Sequence, residues 1–343
     1  MIDLPKKPVI PEQVQPYYDD TAAQAHERMR RTTLADIAAY VAANPVLRTH
    51  DLRSRGVGYV NLQPKEDHDE TTALVVPLPF ANEWALNMAM RVKLLQESLP
   101  HPMRVVVFPN NGATNEAYAT TRTDLNELRE QGSFERLARR QLLTLGKIGI
   151  ERVHYMGYSA GASVGAAALR VGLRDGHMDI GSSGLFEAPN VVKRSRLEVA
   201  RAFMQTERFN EVVNESAIPA LSEEQRTRGG TDGLRQAWRF VGFGRSVLQR
   251  PNLTTVRAFG EPRFIDDIEI ADQKLSERGS DAVITVGGGA KSRIMPPLEF
   301  YEDGSTEPPM HIQVVRILGY GHELAENIVV HALLARKALA ATL

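Results

Sequence analysis

Short unbroken apolar runs alternate with stretches of helical spacing along most of the chain. VGYVNLQ, from Val57, and ALVVPLP, from Ala73, are rich in β-branched residues and bounded by charged or turn-forming segments, which predicts strands. EWALNMAMRVKLLQESL follows. Its Leu86, Met90 and Leu94 lie four apart with Arg91 and Lys93 off that stripe, which predicts a helix. MRVVVFPNNG predicts a buried strand ending in a loop. ERLARRQLLTLGKIG predicts an amphipathic helix closed by glycine. RVHYMGYSAG predicts a strand entering a turn, ASVGAAALRVGL a helix of small residues, and IGSSGLFEAPN a further strand end. Such alternation predicts an α/β fold, a mostly parallel central sheet with helices on both faces.

The pattern breaks twice. The first 50 residues look accessory, with TLADIAAYVAAN as a helix that Thr33 could cap. From Val191 to about Arg250 strand signals stop. RLEVARAFMQTERFNEVV and DGLRQAWRFVGFGRSVLQ read as helices around a polar stretch. Strand-helix alternation then resumes through LTTVRAF, IEIADQKLSERG, AVITVGGG, HIQVVRIL and a last helix, ELAENIVVHALLARKALA. The expected organisation is a helical extension over 1–50, a core over 51–190 and 251–343, and a helical cap insertion over 191–250.

Composition narrows the function classes. A chain of 343 residues is long enough for one large domain with a well-buried core. Its net charge of −1 gives no general attraction to nucleic acid or anionic lipid. The absence of cysteine removes disulfides, thiol catalysis and thiolate metal sites. MIDLPKKPVIPEQ has no apolar core of a signal peptide, and no apolar run approaches about 18 residues. The expectation is a soluble, cytoplasmic protein with no membrane span and no nucleic-acid partner.

The chemistry-bearing stretch is HYMGYSAGAS. Gly157, Tyr158, Ser159, Ala160 and Gly161 spell G-x-S-x-G. The pentapeptide is a common coincidence, so its flanks decide. A nucleophile elbow needs a strand, a sharp turn and a helix. Val153 to Met156 supply the strand, Ser159 the turn, and Gly161 to Ala168 a small-residue helix whose N-terminus aims N–H groups at the site. The alternative is a glycine-rich strand-to-helix turn with an inert serine.

GIERVHYMGYSAGASVGAAALR resembles the central segment of α/β-hydrolase fold enzymes. LVVPLPFANEW, RVVVFPNNGATNEAYATTR and VVRILGYGHELAEN are similar to their oxyanion-loop, following strand and Gly-His regions. The resemblance implies that Ser159 is the nucleophile. In this fold the acid and then the histidine follow the serine in the chain. His177, His311, His322 and His331 are the histidines after Ser159. His322 follows an apolar strand, where the resemblance places the general base. His311 lies at the start of that strand, His331 in the next helix and His177 in a polar loop. The acid position most frequent among relatives is held here by Ser292, in GAKSRIMP. Some relatives carry the acid one strand earlier, where this chain has Glu187 in GLFEAP. Glu187 is therefore the candidate, with Glu261, Asp266, Asp267, Glu299 and Asp303 behind it. A surface glutamate is the alternative reading of Glu187. The oxyanion donors would be the backbone N–H groups of Ala160 and Phe80, or Ala81, since Pro79 has no N–H.

The resemblance implies a serine hydrolase that cleaves a carboxylic ester or related acyl bond through an acyl-enzyme on Ser159, without metal or cofactor. Phe203, Phe209, Trp238, Phe240 and Phe243 of the cap suggest a small-molecule substrate with an apolar part, although cap packing explains them equally well. An acyltransferase of the same fold, or a binding protein derived from it, fits the same residues. GGGAK at Gly287–Lys291 lacks the full phosphate-loop pattern and reads as a tight loop. EDHDE at Glu66–Glu70 reads as a solvated charge run rather than a cation site.

Overall fold

A computed structural model describes residues 8–48, 57–79, 84, 86–109, 122–176, 178–199, 202, 257–292, 294–295, 298, 309–320 and 327–340. The sequence expectations for His322, Phe80, Ala81, His177, Glu299, Asp303 and nearly all of the 191–250 insertion lie outside these residues. Of the described start of that insertion, 191–195 are irregular and 196–199 are helical.

Nine strands form one sheet among the described residues: β1 (Leu47–Arg48), β2 (Gly58–Leu62), β3 (Thr72–Pro77), β4 (Arg104–Phe108), β5 (Arg152–Tyr158), β6 (Asp179–Ile180), β7 (Ser183–Phe186), β8 (Ile284–Gly289) and β9 (Ile312–Ile317). Their order is β1-β2-β4-β3-β5-β7-β8-β9, with β6 beside the first residues of β5. β1 is antiparallel to β2 and β2 to β4, while every pair from β4 through β9 is parallel.

Helices cover both faces. α1 (Asp20–Arg31), α2 (Leu34–Ala43), α3 (Leu86–Ser98) and α8 (Ile328–Leu339) bury their apolar residues with one face. α4 (Arg122–Gln131), α5 (Glu135–Lys147), α6 (Ala160–Asp175) and α7 (Arg263–Glu277) do so with the other. Successive strand residues point to opposite faces. Ala73 and Val75 of β3 enter the α6 side, and Leu74 and Val76 enter the α3 side. Val105 and Val107 of β4 pack toward α3, and Val106 and Phe108 toward α6. A sheet buried on both faces needs apolar residues at every position, which is why these strands read as unbroken runs.

The N-terminal segment joins this core. Thr33 closes a capping box with Asp36 at the start of α2. Ala25, Met29 and Ile37 are fully buried. Arg336 of α8 donates to Asp19, the cap of α1, and to the carbonyl of Ser98 at the end of α3.

Two local readings are corrected. Arg257 and Ala258, at the end of LTTVRAF, are helical rather than extended. The glycines of GGGAK do not form a tight loop. Gly287, Gly288 and Gly289 continue β8 in parallel register with Val315, Arg316 and Ile317 of β9, and the turn begins at Ala290. The pairing requirement of an interior strand outweighs glycine's preference for turns.

Candidate active site

Where β5 ends and α6 begins, Ser159 has φ 54° and ψ −127°. A side chain rarely adopts such backbone, and the strain costs about 1–3 kcal/mol, held here by the surrounding packing. Its N–H donates to the carbonyl of Phe186 at 2.9 Å, and its carbonyl accepts from Ala162 N–H at 2.9 Å, opening the helix. A Cβ on Gly157 would lie 2.6 Å from the carbonyl oxygen of Gly161. One on Gly161 would lie 2.1 Å from the carbonyl oxygen of Pro77. The two glycines thus let the turn fold on itself and let the end of β3 press against the first turn of α6.

That contact sets up the backbone donors. Ala160 is the first residue of α6, so its N–H belongs to the four that no helical carbonyl accepts. Leu78 N–H donates to the carbonyl of Phe108 at 2.9 Å, and Pro79 has no N–H. Phe80, the next residue in the chain that carries an N–H, lies outside the described residues.

Glu187 follows β7, the strand beside β5. Its φ is 58°, so Ser159 and Glu187 are the described non-glycine residues with positive φ. Phe186, whose carbonyl holds Ser159, directly precedes it. Glu187 N–H donates to Gly287 O at 2.8 Å. The side chain is fully buried, so the surface reading is wrong. Its Oε1 accepts from Gly289 N–H at 2.5 Å, and its Oε2 accepts from the hydroxyl of Ser292. The position that lacks an acid therefore contacts the carboxylate one strand earlier. Nothing local in the sequence reports this bond, which spans 105 residues.

Other candidates sit elsewhere. Asp267 of α7 pairs with Arg170 of α6 at 2.7 Å. Burial pushes its carboxyl up to about 7, against the pull of Arg170. Arg170 is eleven residues beyond Ser159 on α6, about 16 Å along the axis. Asp266 makes an exposed pair with Arg263. Glu261 lies against Gly132. His311 is buried at the start of β9 and engages the Ala282 carbonyl at 2.9 Å. His331 is within α8, its ring edge-on to Tyr158. Among the described residues no group of three or more His, Cys, Asp and Glu could hold a metal ion, and no helix is long and apolar enough to cross a membrane.

Similar solved structures include a haloalkane dehalogenase from Bradyrhizobium elkani, with a TM-score of 0.51 and 13% identity over 86% of this chain and 96% of that one. A bromoperoxidase from Bacillus anthracis has a TM-score of 0.49 and 16% identity over 87% and 98%. An esterase from Exiguobacterium antarcticum has a TM-score of 0.46 and 15% identity over 80% and 93%. No family model and no curated protein matches the chain. At such identities the likeness is one of fold: the chain has the α/β-hydrolase fold.

Proposed function

We propose that the protein is a serine hydrolase that cleaves a small carboxylic ester, or a related acyl bond, through an acyl-enzyme on Ser159. The observation that carries this reading is the strained backbone of Ser159 at a strand-to-helix turn that leaves no room for a Cβ at Gly157 or Gly161. Strain of this kind persists where the surrounding fold fixes it, and it clusters at functional sites.

In this reading Ser159 Oγ attacks the carbonyl carbon while His322 takes its proton. The charge developing on the carbonyl oxygen meets the N–H groups of Ala160 and Phe80. The alcohol leaves with the proton from His322, and water repeats the sequence to release the acid and restore the serine. Glu187 accepts from the other ring N–H of His322, fixes its tautomer and stabilises the imidazolium. Supporting this role, Glu187 is buried beside the elbow rather than solvated. Supporting His322, the carbonyl of Tyr320 two residues before it accepts from Lys291 N–H at 2.8 Å, next to Ser292. The aromatic content of the 191–250 segment favours a substrate with an apolar part.

A fluorophosphonate probe tests the reading, because only an activated serine reacts with it. Stoichiometric labelling should map to the Ser159 peptide and parallel the loss of p-nitrophenyl ester turnover. A folded protein that neither labels nor turns over such esters would point to a binding role instead.

A further inference from the structure

The carboxylate of Glu187 is gripped on both oxygens by residues around the end of β8. Gly289 N–H holds Oε1. Ser292 holds Oε2, and the direction of that bond is fixed by its surroundings. Ser292 Oγ lies 3.2 Å from Ile294 N and 3.2 Å from Met295 N, which donate to it. A hydroxyl has two lone pairs and one proton. Both lone pairs face N–H donors, so the proton goes to the carboxylate. The turn that carries Ser292 is tied back to β8, since Ser292 N–H donates to Gly289 O at 2.9 Å. From the other side Gly288 presses close: a Cβ there would lie 2.3 Å from Glu187 Oε1.

We propose that Ser292 is a positioning residue, which through its one-way hydrogen bond orients the Glu187 carboxylate toward the histidine of the site. The inference rests on the hydrolase reading of Ser159, His322 and Glu187. It explains how a chain with serine at 292 retains a functional acid: the 292 side chain sets the aim of the carboxylate and does not supply the charge.

The test is a double-mutant cycle on p-nitrophenyl acetate hydrolysis, with thermal unfolding followed in parallel. Ser292→Ala should lower kcat by about 10- to 100-fold, the scale of a misaimed catalytic group, with KM within about twofold. Ser292→Thr, which keeps the hydroxyl, should restore most of the loss. Without an aimed carboxylate the imidazolium is less stabilised, so the acid limb of the kcat profile should move to lower pH in Ser292→Ala. On a Glu187→Gln background Ser292→Ala should add little. Equal losses on both backgrounds would show that Ser292 acts independently of Glu187 and overturn the proposal. So would unchanged kcat and an unchanged pH limb in Ser292→Ala, with Glu187→Gln impaired; the hydrolase reading would survive that result. Should Ser292→Ala fail to fold, Ser292→Cys, which keeps a side chain of similar size but only a weak donor, decides by the same kcat and pH criteria. Full turnover in folded Ser159→Ala and Glu187→Gln proteins would remove the hydrolase reading itself, a distinguishable failure.

Discussion

Gly161 sits so tightly beneath Pro77 that a Cβ built on it would lie 2.1 Å from the Pro77 carbonyl oxygen. The neighbour is backbone, which cannot swing aside as a flexible side chain would. Gly161→Ala should therefore push α6 from β3 and cost about 1–3 kcal/mol, the range for overpacking a filled interior. Turnover should fall further than stability, because the shift separates Ala160 from the β3 loop. Gly146 of α5 offers the control, with no atom within 4 Å of its missing Cβ. Gly146→Ala should be neutral or stabilising by up to about 1 kcal/mol. Urea midpoints of the two variants moving in the same direction would contradict the packing argument.

The strain at Ser159 makes a prediction about stability as well as activity. Alanine keeps the Cβ and with it the cost of φ 54° and ψ −127°. Glycine tolerates positive φ and removes that cost. Both Ser159→Ala and Ser159→Gly should lose about 10³-fold or more in kcat. The glycine variant should be the more stable of the two, by about 1 kcal/mol or more. Calorimetry decides, and a glycine variant that melts below the alanine variant would mean the elbow is not strained.

Most of the sheet was legible because its strands are buried on both faces. LVVP in β3 and VVVF in β4 have no polar partner positions, so each run announces itself. The strand-to-helix turn at Ser159 was legible for a related reason, since it needs glycine at 157 and 161 within five residues. The grip on Glu187 was not. It joins residues 105 apart, and neither GLFEAP nor GAKSRIMP carries a periodicity that foretells it. The glycines of β8 misled in the opposite direction. Read locally they suggest a loop, but Gly288 stays in the strand and leaves space for the Glu187 carboxylate. The place of the N-terminal segment in the core was similarly hidden, because Asp19 and Arg336 lie 317 residues apart.

That last pair anchors three helices and can be tested. Arg336 is buried on α8. One of its nitrogens meets the carbonyl of Ser98, the last residue of α3, and another meets Asp19, the cap of α1. A guanidinium at a helix C-terminus satisfies an orphan carbonyl and complements the helix dipole. Lysine offers a single charged centre and cannot span both acceptors. Arg336→Ala should cost about 2–4 kcal/mol and Arg336→Lys about half of that. Denaturant unfolding would expose the error if lysine proved fully equivalent.

The final prediction concerns acid stability and His331. This imidazole is buried in α8, with Tyr158 of β5 edge-on at 6.4 Å between ring centres and the charge of Arg91 on α3 nearby. Burial, helped by Arg91, pushes its pKa down to about 3. In the unfolded chain the ordinary value is about 6.5. Between pH 6.5 and 3 the unfolded state thus binds the proton and the folded state does not. Stability rises with pH wherever the unfolded state holds more protons, so this group's contribution is fully present above about pH 6.5 and is lost as pH falls toward 3. Its slope approaches about 1.4 kcal/mol per unit, or about 2 kcal/mol between pH 6.5 and 5. His331→Gln removes the titration while keeping a polar side chain of similar size. Urea titrations of both proteins at pH 7 and pH 5 provide the check, and other histidines such as His26 and His154, whose pKa values burial also lowers, cancel in the comparison. The variant should lose less stability than the parent across that interval, by up to about 2 kcal/mol. Identical losses in the two proteins would mean that the folded chain accommodates a protonated His331.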